Sequence, residues 1–306
     1  MRVALFGGTG FVGSYLIDAL LREGHQPVVL VRAGSEARLH RADECIAVTG
    51  GLESRTAIAA TLRDCDAAIY LVGILRENPS AGITFSSLQF DAARLCMDVA
   101  LEQGVTRFLL MSANGARADG TPYQQSKFAA EEYLLQSGLQ GTAFRPSVIF
   151  GDPRGRMEFC TQLLRDMIVP PLPAPAFFSG FSVARGGFAM SPVAVTDVAS
   201  VFTGALRDSA FIGKVYPLGG EATLSWPDII RTIATASGRR KWIVPVPAAP
   251  VLAVCRLLDR FPWFPLTADQ LRMLLEGNTV ESGAAFDQLN MRPRRFAVEE
   301  ISYLAR

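Results

Sequence analysis

The sequence predicts an α/β protein: a doubly wound parallel sheet, with a smaller α/β lobe built C-terminal to it. Three observations carry this prediction. Through the first half of the chain, short apolar runs alternate with helix-length segments, the pattern of parallel strands joined by crossover helices. The first run ends at Phe6 in the glycine-rich turn Gly7-Gly8-Thr9-Gly10-Phe11-Val12-Gly13, which opens a helix. After Gly151 the character shifts, and proline and aromatic residues gather.

The first strand and turn come first. Gly7 can take a backbone conformation that a side chain forbids. Gly10 lets a pyrophosphate approach the backbone, and Gly13 lets the helix pack closely on the strand. The helix carries Val12, Leu16, Ile17 and Leu20 at apolar spacing. Its N-terminus offers N–H groups and the positive end of a dipole to phosphates. A dinucleotide is therefore expected on Gly7, Thr9, Gly10, Phe11, Val12 and Gly13. The plain alternative is a tight strand–helix turn with no ligand; the strand before it and the helix after it argue against that.

Residues 26–31 form a second buried strand, ending in Arg32. An acid near this point binds the ribose 2′-hydroxyl of NAD. Here Arg32 stands, followed by Ala33-Gly34-Ser35 and Arg38. A guanidinium fork suits a 2′-phosphate, so NADP(H) is expected over NAD(H). The alternative is a solvated loop arginine with NAD bound regardless. Residues 45–48 make a third strand leading into Thr49-Gly50-Gly51-Leu52, and residues 55–63 a helix. Residues 67–72 make a fourth strand ending at Gly73. Leu52, Val72 and Gly73 thus fall on the carboxyl edge of the sheet, where ligands bind in open α/β folds. A loop over 74–84 precedes one long helix over 85–104.

The fifth strand, residues 107–111, leads into Ser112, and Tyr123-Gln124-Gln125-Ser126-Lys127 then opens a helix. Residues four apart share a helix face. Tyr123 and Lys127 therefore point together toward the end of the fifth strand. An ammonium beside a phenol lowers its pKa and makes it a usable acid or base. Ser112 can hold a carbonyl or hydroxyl in place. The plain alternative is an amphipathic helix with a packed tyrosine and an exposed lysine. The run Thr142-Ala143-Phe144-Arg145-Pro146-Ser147-Val148-Ile149-Phe150-Gly151 follows, and Pro146 is counted among the nucleotide contacts.

This ordered set, continued by Val195-Thr196-Asp197-Val198-Ala199 and Tyr216-Pro217-Leu218-Gly219-Gly220, resembles an extended or atypical short-chain dehydrogenase/reductase of the epimerase type. Three segments resemble one branch of it more closely: Leu71-Val72-Gly73-Ile74-Leu75-Arg76-Glu77, the run from Arg145 to Gly151, and Leu266-Thr267-Ala268-Asp269-Gln270-Leu271 with Gly277-Asn278. That branch holds the NAD(P)H-binding accessory subunit of respiratory complex I and its free-standing bacterial relatives. The resemblance implies a Rossmann sheet, with NAD(P)H on Gly7, Gly10, Gly13 and the end of strand two. It implies Tyr123, Lys127 and Ser112 as the reaction centre. In the complex I subunit the nucleotide is structural, and the tyrosine and lysine also contact the nicotinamide ribose, so their presence does not establish turnover. Many relatives carry an aspartate after strand three that caps the adenine amine; this chain has Gly51 there.

The expected nucleotide domain is 1–150, with 191–220 returning to it; 151–190 and 221–306 form the smaller substrate or partner lobe. Within that lobe a helix is expected over 159–167. Phe177, Phe178 and Phe181 are read as loop aromatics, serving either as core or as an apolar lining. Asp197 is read as a first-turn acid. Ser225 starts a helix that Gly238 stops. Arg239-Arg240-Lys241 reads as a solvated basic patch, and 243–246 as a strand. Residues 251–258 are apolar almost all round and are followed by Arg260-Phe261-Pro262-Trp263-Phe264-Pro265. Two readings stand side by side: a buried helix, or a segment on a membrane face with Trp263 and Phe264 at headgroup depth.

Bulk properties narrow the function classes. The 306 residues are 49% hydrophobic with net charge +1, so no field draws the chain to nucleic acid. Five scattered cysteines and two histidines make no metal knuckle, redox pair or histidine triad. No apolar stretch reaches membrane-spanning length. Met1-Arg2 runs straight into the first strand, so a cytoplasmic protein is expected, at most peripheral on the inner membrane face. The expected partners are a pyridine nucleotide, an apolar or quinone-like small molecule, and a respiratory membrane complex or membrane surface. Two functions follow: an NADP(H)-binding protein of the complex I accessory type, tied to respiratory-chain or quinone metabolism, assembly or stability; or an active oxidoreductase or nucleotide-sugar epimerase working through Tyr123 and Lys127.

Overall fold

In the computed structural model, which describes residues 1–178, 187–259, 267–281 and 283–305, the alternating apolar runs become strands. In chain order the elements are β1 (Arg2–Phe6), α1 (Phe11–Arg22), β2 (Gln26–Val31), β3 (Ile46–Thr49), α2 (Arg55–Leu62), β4 (Ala67–Tyr70), α3 (Ala92–Glu102), β5 (Arg107–Met111), α4 (Pro122–Gln136) and β6 (Gln140–Pro146). There follow β7 (Ile149–Phe150), α5 (Phe159–Leu163), β8 (Ala174–Phe178), β9 (Ala189–Met190), β10 (Val193–Ala194), α6 (Val195–Ala205) and β11 (Lys214–Leu218). The chain closes with β12 (Leu224–Ser225), α7 (Trp226–Ala236), β13 (Ile243–Pro247), α8 (Ala248–Leu258), α9 (Ala268–Glu276) and α10 (Gly283–Gln288).

Two units form. The first takes Met1–Pro146, Val195–Leu218 and Gly283–Met291; the second takes Ser147–Ala194, Gly219–Ser282 and Arg292–Arg306. The return of 195–218 to the first unit lies within the segment expected from sequence. The first unit also takes Gly283–Met291, a segment placed by the sequence reading in the smaller lobe. Leu289 reaches Gly204 on α6, where any larger residue would collide with it.

The first unit is a seven-stranded sheet in the order β3-β2-β1-β4-β5-β6-β11. Every pairing is parallel. Both faces of such a sheet are covered, which is why its strands read as continuous apolar runs. On one face Ala4, Phe6, Tyr70, Phe108 and Leu110 meet Ile58 and Leu62 of α2, Met97 of α3 and Leu134 of α4. Right-handed crossovers running outward in opposite directions from β1 and β4 put α1 on the other face, where it packs with α6. At the sheet's far side Arg107 is buried. Its guanidinium donates to Gln140 O (2.6 Å), Thr142 Oγ1 (2.9 Å) and Ala205 O (2.5 Å), tying the end of α6 to β5 and β6.

Several elements depart from expectation. The single helix over 85–104 begins instead with a π-wound stretch, Ser86–Asp91, before α3. That wider turn buries Gln89 completely. The helix over 159–167 likewise passes from α5 into a π-wound stretch, Leu164–Ile168. Strand β4 ends at Tyr70, although Leu71 N–H still donates to Phe6 O (2.9 Å).

In the second unit β8 and β13 pair in parallel, so Phe177 and Phe178 lie in a strand and not in a loop. Phe177 joins a core with Phe150, Trp226, Ile229, Ile233 and Phe296. It is thereby withdrawn from the role of ligand lining. Trp226 anchors the strand by donating its indole N–H to Pro175 O (2.9 Å). Helix α8 is half out of the core: Cys255 is buried, but Leu257 is 69% exposed. Phe181, Arg260, Trp263, Phe264 and Leu266 lie outside the described residues. Among the described residues no helix is long and apolar enough to cross a membrane.

Candidate nucleotide site

Strand order reverses between β1 and β4, and a doubly wound sheet opens its ligand crevice at that point. Gly7 leaves β1 here with φ +96°. A Cβ at position 7 would sit 3.1 Å from Val72 Cγ2, at the end of the neighbouring strand. Gly10 N–H donates to Gly7 O (3.1 Å) and closes the turn. Gly10 is also the N-cap of α1; no side chain caps this helix end, and no acid lies in its first turn. Gly13 presses on the turn itself, since a Cβ there would lie 2.6 Å from Gly7 O and Gly8 Cα. The close approach is thus helix to loop, one layer nearer the ligand edge than the strand contact expected. The result is a cradle lined by backbone, open to an anion and free of negative charge.

Along the same edge, Arg32 follows β2 and is exposed. Its carbonyl accepts from Ser35 N–H (2.9 Å), and Gly34 takes φ +80° to make that turn. Leu52 follows β3 and packs half-buried on the core below. At Gly51 the Glu53 carboxylate folds back: its Oε1 lies 2.0 Å from where a Cβ of residue 51 would be. The Glu53 carboxylate thus occupies the space that a side chain at position 51 would enter.

Helix α4 begins at Thr121 with a capping box. Thr121 N–H donates to Gln124 Oε1 (2.8 Å), and Gln124 N–H donates to Thr121 Oγ1 (3.4 Å). This fixes Tyr123 in the first turn and Lys127 one turn later. Lys127 is buried, and its ammonium donates to Val72 O (3.2 Å) and Met111 O (3.0 Å), at the ends of β4 and β5. Burial pulls its pKa down to about 8, with Glu131 opposing the shift. Glu131 is itself buried and paired with Arg145 through a guanidinium fork (Nε to Oε1 2.9 Å).

Tyr123 is half-buried, with its ring edge-on to Phe85 at 5.6 Å. Burial pushes its phenol up to about 12. The expectation of a lowered phenol pKa is therefore reversed in this structure: desolvation dominates, while the Lys127 ammonium is engaged by two strand-end carbonyls. Ser112 leaves β5 with its N–H donating to Phe144 O (2.8 Å). Its hydroxyl is buried and has no hydrogen-bond partner among the described residues. Buried polar atoms are nearly always satisfied, so this hydroxyl is open to a bond from outside the chain, whether a water or a ligand atom. Pro146, at the end of β6, accepts from Asn114 N–H (3.0 Å) through its carbonyl.

The structure brings Gly7, Val72, Gly73, Lys127 and the end of β5 together at the centre of the edge. Arg32 and Leu52 lie on the strands to one side, and Pro146 lies on the other. Sequence reasoning missed Gln89. Its side-chain amide donates to Ile74 O (2.7 Å), and its oxygen accepts from Ser126 Oγ (3.0 Å), so it joins the segment after β4 to α4 between Tyr123 and Lys127. A glutamine in a helical run reads as a surface position, and no residue pattern announced the π-wound turn. The threonine–glutamine spacing of the capping box was also passed over, although it is a signal that the sequence carries. Among the described residues no cluster of His, Cys, Asp or Glu could hold a metal.

A dinucleotide-binding α/β protein is what this fold and turn define. The chain belongs to the NAD(P)H-binding family, whose pattern it matches over residues 7–165. It is 27% identical to the mitochondrial NADH dehydrogenase [ubiquinone] 1 alpha subcomplex subunit 9 of Arabidopsis thaliana, over 98% of this chain and 76% of that protein. It is 24% identical to the photosystem II assembly factor Ycf39 of Synechocystis, over 99% of this chain and 90% of that protein. It is 31% identical to the ceramide reductase of Caulobacter vibrioides over 49% of this chain and 46% of that protein. Among solved structures, the UDP-glucose 4-epimerase of Thermotoga maritima superposes with TM-score 0.74 at 18% identity, covering 100% of this chain and 97% of that one. The NAD complex of the Thermus thermophilus UDP-glucose 4-epimerase gives 0.71 at 20%, covering 100% and 98%. These two share the fold.

Proposed function

We propose that this chain is an NADP(H)-binding accessory protein of the complex I subunit type, serving the assembly or stability of a respiratory-chain complex from the cytoplasmic face of the membrane. The observation that carries this reading is end-to-end likeness to a complex I subunit, 98% of this chain against subunit 9 of Arabidopsis thaliana. In this reading Gly7, Thr9, Gly10, Phe11, Val12 and Gly13 hold the diphosphate. Arg32 takes the 2′-phosphate, supported by its exposure and by the lack of any ion-pair partner among the described residues. Leu52 and the Glu53 carboxylate meet the adenine. Val72, Gly73, Tyr123, Lys127 and Pro146 meet the nicotinamide half. An ammonium has three donors, and two of those on Lys127 go to backbone carbonyls, leaving one for a ribose hydroxyl. When bound, the nucleotide supplies hydride chemistry.

A second reading is favoured by the unpartnered Ser112 hydroxyl. It makes the chain an active oxidoreductase or epimerase, with Ser112 holding a substrate oxygen, Tyr123 moving the proton and Lys127 orienting both. Two variants separate the readings. Gly10→Trp blocks the cradle, and Tyr123→Phe removes only the phenol proton. Complex assembly that survives Tyr123→Phe but fails with Gly10→Trp supports a structural nucleotide. Loss of function in Tyr123→Phe with NADPH still bound establishes turnover and overturns the accessory reading.

A further inference from the structure

In the second unit, residues 168–173 and 239–242 enclose an open cleft of about 550 Å³. The sequence reading left Arg239, Arg240 and Lys241 as a solvated patch, but the structure gives them different tasks. The Lys241 ammonium turns inward and donates to the carbonyls of Ile168 (3.1 Å) and Pro170. Ala174 N–H donates to Trp242 O (2.8 Å) from the other end of the loop. Pro170, Pro171 and Pro173 stiffen the segment between these two fastenings. Loop and tryptophan are thus held as one rigid body.

That rigid body displays apolar surface. Trp242 is 82% exposed, Leu172 71% and Val169 50%. Exposed apolar groups gathered in this way mark an interaction site. Arg239 and Arg240 are also exposed, with no ion-pair partner among the described residues, and no acid lines the cleft. We propose that this face docks the protein on an anionic lipid surface. Trp242 and Leu172 enter the headgroup region, and the two guanidinium groups pair with lipid phosphates. Two exposed guanidinium groups beside exposed apolar side chains match an occupant that offers phosphates above an apolar interior, which is the layout of an anionic bilayer face. The proposal rests on the membrane-facing part of the function proposed above, and not on the nucleotide site.

The test uses the full chain and sedimentation with vesicles of phosphatidylcholine alone or with phosphatidylglycerol added. Binding is expected only to the anionic vesicles and weakens as salt is raised. Arg239→Gln with Arg240→Gln lowers the partition coefficient about thirtyfold, the effect of removing two charges at about 1 kcal/mol each. Trp242→Ser weakens binding further. NADPH affinity, measured on the same samples, stays unchanged in all variants; its absence from the wild type would sink the nucleotide reading and leave this one standing. Equal binding to neutral and anionic vesicles, or full binding by the double arginine variant, overturns the proposal. So does displacement by inorganic phosphate beyond that given by chloride at equal ionic strength, which marks a free-anion site. Binding to native membranes but not to vesicles of their lipids assigns the surface to a protein and also overturns it.

Discussion

Gly73 lies against the ammonium of Lys127: a methyl group at position 73 would sit 3.1 Å from Nζ. That nitrogen is held by the carbonyls of Val72, just past β4, and Met111, at the end of β5, so its retreat would lengthen one of those bonds. Gly73→Ala is therefore expected to cost about 1 kcal/mol of stability and to weaken NADPH binding several-fold. A urea midpoint and a fluorescence titration check this. If both are unchanged, Lys127 is free to move and its placement is not set by Gly73.

The buried lysine also predicts a pH dependence. Its folded-state pKa is about 8, against an ordinary 10.5. Below about pH 8 the side chain is charged in both states, and the native protein bears the full cost of burying that charge. Between about 8 and 10.5 the native state gives up the proton first, the unfolded chain binds more protons, and stability rises with pH. Wild-type stability should therefore rise from pH 7 to pH 10 relative to Lys127→Met, measured by denaturant titration at each pH. A constant difference would refute the depressed value.

In the proposed reading, Arg32 sets the choice of nucleotide. A hydrogen bond to a charged group contributes about 1.5–3 kcal/mol. Arg32→Ala should weaken NADPH binding by roughly ten- to a hundredfold and leave NADH binding unchanged. Calorimetry with both nucleotides decides the matter. Equal losses for the two would remove the 2′-phosphate from the account.

Glu131 is buried and has Arg145 as its counter-ion. Arg145→Met strands that carboxylate and should cost about 3–5 kcal/mol. The double change Arg145→Met with Glu131→Leu should recover part of the loss, because the stranded carboxylate is then gone, although the buried Lys127 ammonium loses the support of Glu131. Thermal melts of the three proteins test the pair; a double variant no better than the single one would show that packing of Arg145, and not its charge, matters.

The strands were legible for one reason. A parallel sheet covered on both faces writes its strands as unbroken apolar runs, as in Val28 to Val31 and Ala67 to Tyr70. Gly7 and Gly13 were legible because backbone crowding leaves no room for a Cβ. What escaped depended on partners far along the chain or on burial. Phe177 reads as a loop aromatic until β13 pairs with its strand. The Tyr123 phenol sits one helical turn from an ammonium, yet its pKa follows its desolvation, which spacing does not encode. The Glu53 carboxylate comes to lie beside Gly51 only because its side chain folds backward.

The sheet's last strand, β11, comes from beyond β10, and Arg107 grips the final turn of α6. A polypeptide cut near residue 150 would present β6 as a raw margin, ready to recruit a stranger's strand. It would also leave a guanidinium in apolar surroundings with one of its three acceptors gone. The nucleotide-holding half is therefore no detachable cassette. Truncation at that seam is therefore expected to yield a fragment that aggregates, with its outer strand and its buried guanidinium both short of partners.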